Sequence, residues 1–530
     1  MNEYKIILFL CNWGPHTALQ SLQDTYDEKK NIPVEIKIVR IPCTGRISKA
    51  LLLKAFEMGA DGVALVGCKS GTCRYGRGTV TAEDNTRDTR DILELLGLGK
   101  DRMQQATFLP DEGDAFLKFI NNFCDQIRSL CTSPVIPDKK IELEHVEKKS
   151  IEEIISTYDI YACQDCGKCT SACPLALIGK PFSPRTIAGS ILKGDLESDA
   201  IINDVWSCLT CGICYDRCPS NVNFPEFIRD VRHLLKQNGK NGHENHGGFF
   251  HSLMRTMTSS KLETKRWHDI PEDIKIDHDS KTLFFGGCAP FFDIFFRKFL
   301  GVNTNKILID SLRLLNFFDI QPAIFNDERC CGHDLLWSGD RDNFLKLAQL
   351  NANSINSLNI EEIITSCPEC YRTLSHDYPG YGIKLNCKIT YIHEFLENRI
   401  SKEAVKFKKS NKRLTYQDAC RLNWIDDQRD LPRKLIKRLK LAGFQELQNH
   451  GNTAICCGNC AWIGCDSYSK ALQVKRLRQA SDTGSNVMLT SCPKCQIHLS
   501  CAMEDPFIGD KLKIKLVDLI SAIAGTIYRE

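Results

Sequence analysis

The 530-residue chain has no run approaching the roughly 20 consecutive apolar residues that cross a bilayer. It opens Met1-Asn2-Glu3-Tyr4-Lys5 and passes straight into a strand-like segment, without the pattern of a cleavable signal. It has no concentrated basic face either. Net charge is +3, with lysine and arginine dispersed, which argues against nucleic acid as the main partner. No G-x-G-x-x-G follows a strand-like run, and Gly71 and Gly76–Gly78 lie beside cysteines instead, so any flavin is expected on a partner protein. What remains is a protein expected in the cytoplasm, with 42% hydrophobic and 25% charged residues and enough length for three or four domains.

Cysteine is what the chain has in excess: 28 of them. Secreted disulfide scaffolds are short and loop-rich, whereas this chain is long and has proper core segments. In a reducing compartment, cysteines grouped at fixed spacings read as metal ligands. Twenty-two fall into such groups, leaving Cys124, Cys131, Cys387, Cys460, Cys465 and Cys501. Cys124, Cys131, Cys387 and Cys501 are expected to be ordinary buried thiols, and Cys460 and Cys465 spare ones.

Residues 1–130 alternate strand-like runs (Lys5–Leu10, Val34–Ile41, Gly62–Val66) with helix-like ones (Ala18–Lys29, Ser48–Met58). The pattern predicts a doubly wound α/β domain of flavodoxin type. Cys11, Cys43 and Cys68 follow the three strands, and Cys73 lies on the adjoining loop. Four thiolates at one crevice suit a 2Fe-2S cluster. Residues 131–158 turn polar and read as a linker followed by a solvated helix. Residues 238–280 read as a second linker, with Asn238–His251 a flexible surface segment rich in glycine and asparagine.

Between them, residues 159–237 predict a helical two-cluster ferredoxin domain. Cys163, Cys166, Cys169 and Cys173-Pro174 have the spacing C-x2-C-x2-C-x3-C-P, and Cys208, Cys211, Cys214 and Cys218-Pro219 repeat it. Three thiolates on one tight loop hold three corners of a 4Fe-4S cubane while the fourth reaches the other cluster. The expected sets are Cys163, Cys166, Cys169 with Cys218, and Cys208, Cys211, Cys214 with Cys173. Structural zinc, the alternative, takes four ligands from two separated C-x2-C pairs and fits these runs poorly.

The last 250 residues repeat, as two α/β cysteine-rich domains over 281–400 and 410–525. One copy has Cys288, Cys330-Cys331-Gly332 and Cys367-Pro-Glu-Cys370; the other has Cys420, Cys456-Cys457-Gly458 and Cys492-Pro-Lys-Cys495. Matching cysteines are offset by 132, 126 and 125 positions. In each copy three strand-like runs lead to the cysteines: Leu283–Phe285, Ala323–Phe325 and Ile363–Thr365, then Leu414–Tyr416, Thr453–Ile455 and Val487–Thr490. Adjacent thiolates chelate one tetrahedral ion with strain but readily bind different irons of one cluster, and five ligands exceed what zinc takes.

The pattern C…CCG…C-P-x-C resembles the cysteine-rich domain of heterodisulfide reductases. With the ferredoxin ahead of it, the C-terminal 370 residues resemble the C and B subunits of that enzyme fused, or its D subunit. The resemblance implies that Cys288, Cys330, Cys331, Cys367 and Cys370 hold one noncubane 4Fe-4S cluster. It implies that Cys420, Cys456, Cys457, Cys492 and Cys495 hold a second. A disulfide would be cleaved between the two clusters, one electron from each. Splitting a disulfide takes two electrons and leaves two thiolates that iron can bind. His333 sits where it would supply a proton to a departing thiolate, although a satisfied surface or loop histidine is the simpler reading.

Cys11-Asn12-Trp13, Cys43-Thr44-Gly45-Arg46 and Cys68-x4-Cys73-Arg74-Tyr75 resemble the delta subunit of methyl-viologen-reducing hydrogenase. That resemblance implies electron exchange with a hydrogenase or formate dehydrogenase and with a flavoprotein like the flavin subunit of heterodisulfide reductase, where electron pairs are bifurcated. Relatives carry further cysteines flanking the Asn-Trp pair, where this chain has Leu10 and Gly14. The preferred reading is an anaerobic oxidoreductase combining an electron-entry module, a two-cubane wire and a two-cluster head that reduces or forms a disulfide. The alternatives are an iron–sulfur relay for an FAD-linked 2-hydroxyacid dehydrogenase and a structural zinc scaffold.

Overall fold

The computed structural model describes residues 4–24, 32–137, 150–267, 269–423, 425–508 and 512–529. It falls into two compact units, Met1–Glu144 with His246–His268, and His145–Asn245 with Asp269–Glu530.

The first unit alternates β1 (Ile6–Cys11), α1 (Gly14–Asp24), β2 (Ile36–Ile41), α2 (Lys49–Glu57), β3 (Gly62–Cys68), α3 (Gly78–Leu95), β4 (Met103–Phe108) and α4 (Gly113–Ser129). All strand pairs are parallel, in the order β2-β1-β3-β4. Every residue of β3 is buried, as an apolar run must be when helices cover both faces of a sheet. On one face α4 packs Phe116, Ile120 and Phe123 with Leu8, Leu10 and Val66. α2 starts where Ser48 accepts the Leu51 N–H on its hydroxyl, a side-chain cap that fixes the first turn. Parallel order brings the carboxyl ends of β1, β2 and β3, and the cysteines that follow them, to one edge.

Two linker expectations differ from the structure. Most of Asn238–His251 lies at the surface as expected, but its end does not: a helix at Phe249–Thr256 buries Phe249, Phe250, His251 and Leu253 and packs against α2. Ser252 Oγ donates to Glu57, and Arg255 Nε lies 3.0 Å from the same carboxylate. The helix carries aromatic and aliphatic side chains at its start, and their burial outweighs the breaker-rich residues before it. The helix expected to be solvated, Ile151–Thr157, has a Ser150/Glu153 capping box and buries Ile154 and Ile155. Residues 138–149 of that linker lie outside the described residues.

In the second unit the ferredoxin segment is a set of short helices ending in α5 (Phe224–Gln237). α5 buries Phe227, Ile228 and Val231 together with three charged residues, Arg229, Asp230 and Arg232. Asp230 accepts from Tyr158 at 2.9 Å and pairs with Arg229 at 3.1 Å and Arg341 at 2.9 Å. Arg232 donates to the carbonyls of Val205 and Trp337, tying the ferredoxin segment to the domain after it.

Two parallel sheets follow. The first has β5 (Thr282–Phe285), β6 (Glu362–Thr365) and β7 (Lys388–Tyr391) in chain order. The second has β8 (Ser410–Tyr416), β9 (Leu441–Phe444), β10 (Val487–Thr490) and β11 (Lys515–Asp518) in the order β9-β8-β10-β11. The expected strands Ala323–Phe325 and Thr453–Ile455 are not formed. The first contributes one bridge, Ala323 to Leu283. The second starts as a 3-10 turn at Gly451–Thr453, where Gly451 takes φ +53° and Thr453 bonds back to His450. Cys330-Cys331 therefore sits on a loop just before the helix His333–Trp337, and Cys456-Cys457 on the loop after the turn Gly451–Thr453.

Candidate metal centres

In the first unit Cys11 and Cys68 end their strands with sulfurs 3.7 Å apart. Burial, with Cys68 alongside, pushes the Cys11 thiol up to about 12. Cys43 and Cys73 meet on the other side of the site, against the start of α3. A Cβ on Gly78 would stand closer than 3.0 Å to both of their sulfurs, and one on Gly45 would strike Gly78. Two glycines thus let the chain close around the sulfurs. Burial raises the Cys73 thiol, but the N–H groups of Tyr75, Gly78 and Thr79 outweigh it and bring it below the ordinary thiol range. The amino end of an 18-residue helix stabilises negative charge there.

The ferredoxin loops are alike in backbone as well as spacing. Asp165 and Gly167 in the first, and Thr210 and Gly212 in the second, all have positive φ at matching positions. Each loop then enters a short helix carrying its third cysteine, Cys169 in Lys168–Ala172 and Cys214 in Ile213–Asp216. Pro174 opens a helix directly after Cys173, where its missing N–H costs nothing. Cys173 is close enough to Cys208, Cys211 and Cys214 for their charges to interact, as is Cys163 to Cys169. Burial raises Cys173, Cys208, Cys211 and Cys214 as thiols.

In the cysteine-rich domains the sulfurs form two runs of contacts in the same order. In the first run Cys330 touches Cys288 and Cys331, Cys331 touches Cys370, and Cys370 touches Cys367. In the second, Cys456 touches Cys420 and Cys457, Cys457 touches Cys495, and Cys495 touches Cys492. Gly287, at φ +71°, has no room for a Cβ beside the Cys370 sulfur. Pro368 and Pro493 open the helices α6 (Pro368–Arg372) and α7 (Pro493–Met503), which carry Cys370 and Cys495.

Hydrogen bonds from Cys288 and Cys331 pull Cys330 well below the ordinary thiol range, and the same exchange holds Cys331 well above it. Hydrogen bonds from Cys456 and Cys495 bring Cys457 down to about 6. Five touching sulfurs in a protein interior cannot all ionise without a countercharge, and all five must ionise to ligate a metal. Several iron ions would supply that charge, so the donor set fits a multinuclear cluster.

The two runs are joined by charged residues that spacing alone did not single out. Lys494 lies 2.6 Å from Glu369 and 2.5 Å from Asp334, all three largely shielded from solvent. Arg421 Nε donates to His333 Nε2 at 3.0 Å, and His333 Nδ1 lies 3.0 Å from Asp334. His333 is a satisfied histidine, as expected, but fully buried rather than at the surface. His498 Nδ1 is 3.1 Å from the Cys457 sulfur, and burial holds its imidazole down to about 3, hence neutral. A sequence signal existed for one pair, since Glu369 and Lys494 fill the same place in the two C-P-x-C motifs.

Cys460 is buried, its sulfur 3.0 Å from Thr210 Oγ1 and 3.2 Å from Arg421. Cys465 is exposed. Of the four expected as ordinary buried thiols, Cys124 is on the core face of α4, while Cys131 is exposed and Cys387 and Cys501 are half-buried. Lys470 donates to the Cys501 sulfur. A polar cavity separates Cys211 of the ferredoxin from Cys420 and Cys456, whose charges interact with it. The second run is thus the ferredoxin's neighbour. Among the described residues no helix is long and apolar enough to cross a membrane.

Comparison with known proteins matches these segments one by one. Residues 6–131 match the methyl-viologen-reducing hydrogenase delta subunit, 138–222 a 4Fe-4S dicluster domain, and 283–375 and 414–500 the cysteine-rich domain. The B subunit of fumarate reductase (CoM/CoB) from Methanothermobacter marburgensis is 29% identical over 39% of this chain and 41% of its own length. The D subunit of the dihydromethanophenazine:CoB–CoM heterodisulfide reductase of Methanosarcina barkeri is 25% identical over 48% of this chain and 62% of its own. The chain therefore spans roughly two-fifths to three-fifths of these two relatives. The iron-sulfur D subunit of the F420-non-reducing hydrogenase vhu of Methanocaldococcus jannaschii is 36% identical over 24% of this chain and 96% of its own length. Through residues 6–131 this iron–sulfur chain belongs to the family of the methyl-viologen-reducing hydrogenase delta subunit.

Proposed function

We propose that the chain is an iron–sulfur oxidoreductase component of heterodisulfide-reductase type, working in the cytoplasm with a flavoprotein like the flavin subunit of that enzyme. On this reading residues 1–130 form a flavodoxin-type electron-entry domain, 159–237 a two-cubane ferredoxin, and 281–400 and 410–525 a repeated pair of cysteine-rich domains. The spans 131–158 and 238–280 connect them. Cys11, Cys43, Cys68 and Cys73 would hold a 2Fe-2S cluster. Cys163, Cys166, Cys169 and Cys218 would hold one 4Fe-4S cubane, and Cys173, Cys208, Cys211 and Cys214 the other. Each five-cysteine run would hold a noncubane 4Fe-4S cluster. Bound clusters supply single electrons, two of which split a disulfide into thiolates.

The chain's own residues do the rest. Cys211, which would help hold one ferredoxin cluster, faces Cys420 and Cys456, which would help hold the cluster of the second run. The ammonium of Lys494 and the guanidinium of Arg421 place positive charge between the runs, where thiolates would form. Buried Trp337 and Trp462 help exclude water from the same region, Arg421 stacking on the Trp337 ring at 3.9 Å. Electrons would enter from a hydrogenase or formate dehydrogenase.

The observation that carries this reading is the pair of five-sulfur runs with one contact order. Anaerobically purified protein is expected to carry about 18 irons, as one 2Fe-2S and four 4Fe-4S clusters require. With a reduced viologen donor it should cleave a mixed disulfide of two small thiols. Intact clusters without turnover of any disulfide would instead mark a relay of the kind that serves a 2-hydroxyacid dehydrogenase. Zinc in place of iron would end the redox reading.

A further inference from the structure

A cavity of about 530 Å³ opens between the loop at Leu300–Ile307 and the second cysteine-rich sheet. That volume is in the range of small-molecule sites, roughly 300–1,000 Å³. Its wall is the face of the sheet opposite the α7 core. Met488 points into that core, so its neighbours Val487 and Leu489 turn to the cavity, with their register partners Leu414 and Val517 beside them.

Five lysines line it: Lys306, Lys408, Lys412, Lys440 and Lys515, all exposed. Lys306 pairs with Asp310. Among the described residues no ion pair engages the ammonium groups of Lys408, Lys412, Lys440 or Lys515. Among the described residues the single acidic lining residue is Asp518, already committed to capping the helix Leu519–Ala524 through the Ile520 N–H. Unspent positive charge around an apolar cavity selects for a ligand that carries both properties.

We propose that this cavity binds an amphipathic anion, a hydrocarbon chain bearing a carboxylate, phosphate or sulfonate. The chain lies along Leu414, Val487, Leu489 and Val517, and the acid group sits among the lysines. The site stands apart from both sulfur runs and its existence does not depend on the redox reading. It does reach α7 at Gln496, the residue after Cys495, so an occupant would touch the helix that positions the second run.

The test is equilibrium dialysis of radiolabelled dodecyl phosphate against the anaerobically purified full chain. One saturable site is expected, weakened at least tenfold by the double charge reversal Lys412→Glu/Lys440→Glu and by Ala522→Trp, which fills the cavity. Both variants should keep the iron content of the parent, which reports their folding independently of the ligand. The charge reversal alters exposed residues only and keeps the test decisive if Ala522→Trp misfolds. Undiminished affinity in the folded variants, or equal competition by uncharged 1-dodecanol, would overturn the proposal. Sedimentation with phosphatidylglycerol vesicles, reversed by dodecyl phosphate, would assign the anion to a lipid headgroup. Binding of free dodecyl phosphate without sedimentation would assign a soluble anion.

Discussion

Glu369 and Lys494 hold the same position in the two C-P-x-C motifs and meet as an ion pair at 2.6 Å. The two halves of the repeat are therefore not interchangeable here: one brings the carboxylate, the other the ammonium. Lys494 also bridges to Asp334, so one cation serves two carboxylates in a region closed to water. A buried ion pair is weak evidence of net stability, but removing one partner strands the other. Its contribution is to fix how the two sulfur runs face each other.

Replacing Lys494 by Met leaves Asp334 and Glu369 buried without their cation. The variant should lose about 3–5 kcal/mol, the cost of breaking a buried pair from one side. Adding Glu369→Gln should restore part of the loss. A thermal-unfolding series on the parent, the two single variants and the double variant measures the coupling, and additive losses would show that the pair does not act as a unit.

Gly78→Ala should empty the amino-terminal site alone. The new Cβ would collide with the sulfurs of Cys43 and Cys73, while the other sets lie on different segments. On the proposed cluster assignment, iron content should drop by about two of about 18, with the 2Fe-2S absorption lost and the 4Fe-4S signals kept. An unchanged iron count would mean that Gly78 is not against a cluster.

Asp518 makes stability depend on pH. Burial pushes its carboxyl up to about 7, against an unfolded value near 3.8. The folded state therefore holds a proton that the unfolded chain releases between these values. The stability this provides is fully present below about pH 4, erodes as pH rises, and is gone above about pH 7. The full span is about 4 kcal/mol. Asp518→Asn, neutral throughout, should gain on the parent as pH rises from 4 to 7. Parallel unfolding curves for both proteins across that range would refute the assignment.

Asp230 anchors the ferredoxin segment. It accepts from Tyr158 and pairs with Arg229 and Arg341, so Asp230→Ala leaves two arginines facing an empty place. A loss of about 3–5 kcal/mol is expected. Limited proteolysis after the substitution should cut the ferredoxin segment before the cysteine-rich domains. Resistance equal to that of the parent would show that α5 is held by its apolar face instead.

The sequence by itself determined the local grammar of this protein. Cysteine spacing fixes which sulfurs share a loop, since C-x2-C-x2-C brings three thiols together whatever lies around them. Apolar runs such as Gly62–Val66 marked interior strands, and the repeat of Cys-Cys-Gly announced two matching domains. The readings that failed were decided at a distance. Ala323–Phe325 and Thr453–Ile455 have strand composition, but no neighbouring strand pairs with them along their length, and a strand exists only through its partners. The glycine-rich stretch ends in a buried helix because α2 offers it a surface. The placement of Cys211 beside the second sulfur run, and the pairing of Glu369 with Lys494, likewise belong to tertiary structure. They join residues more than 100 positions apart, and only the packed domains bring such groups within reach.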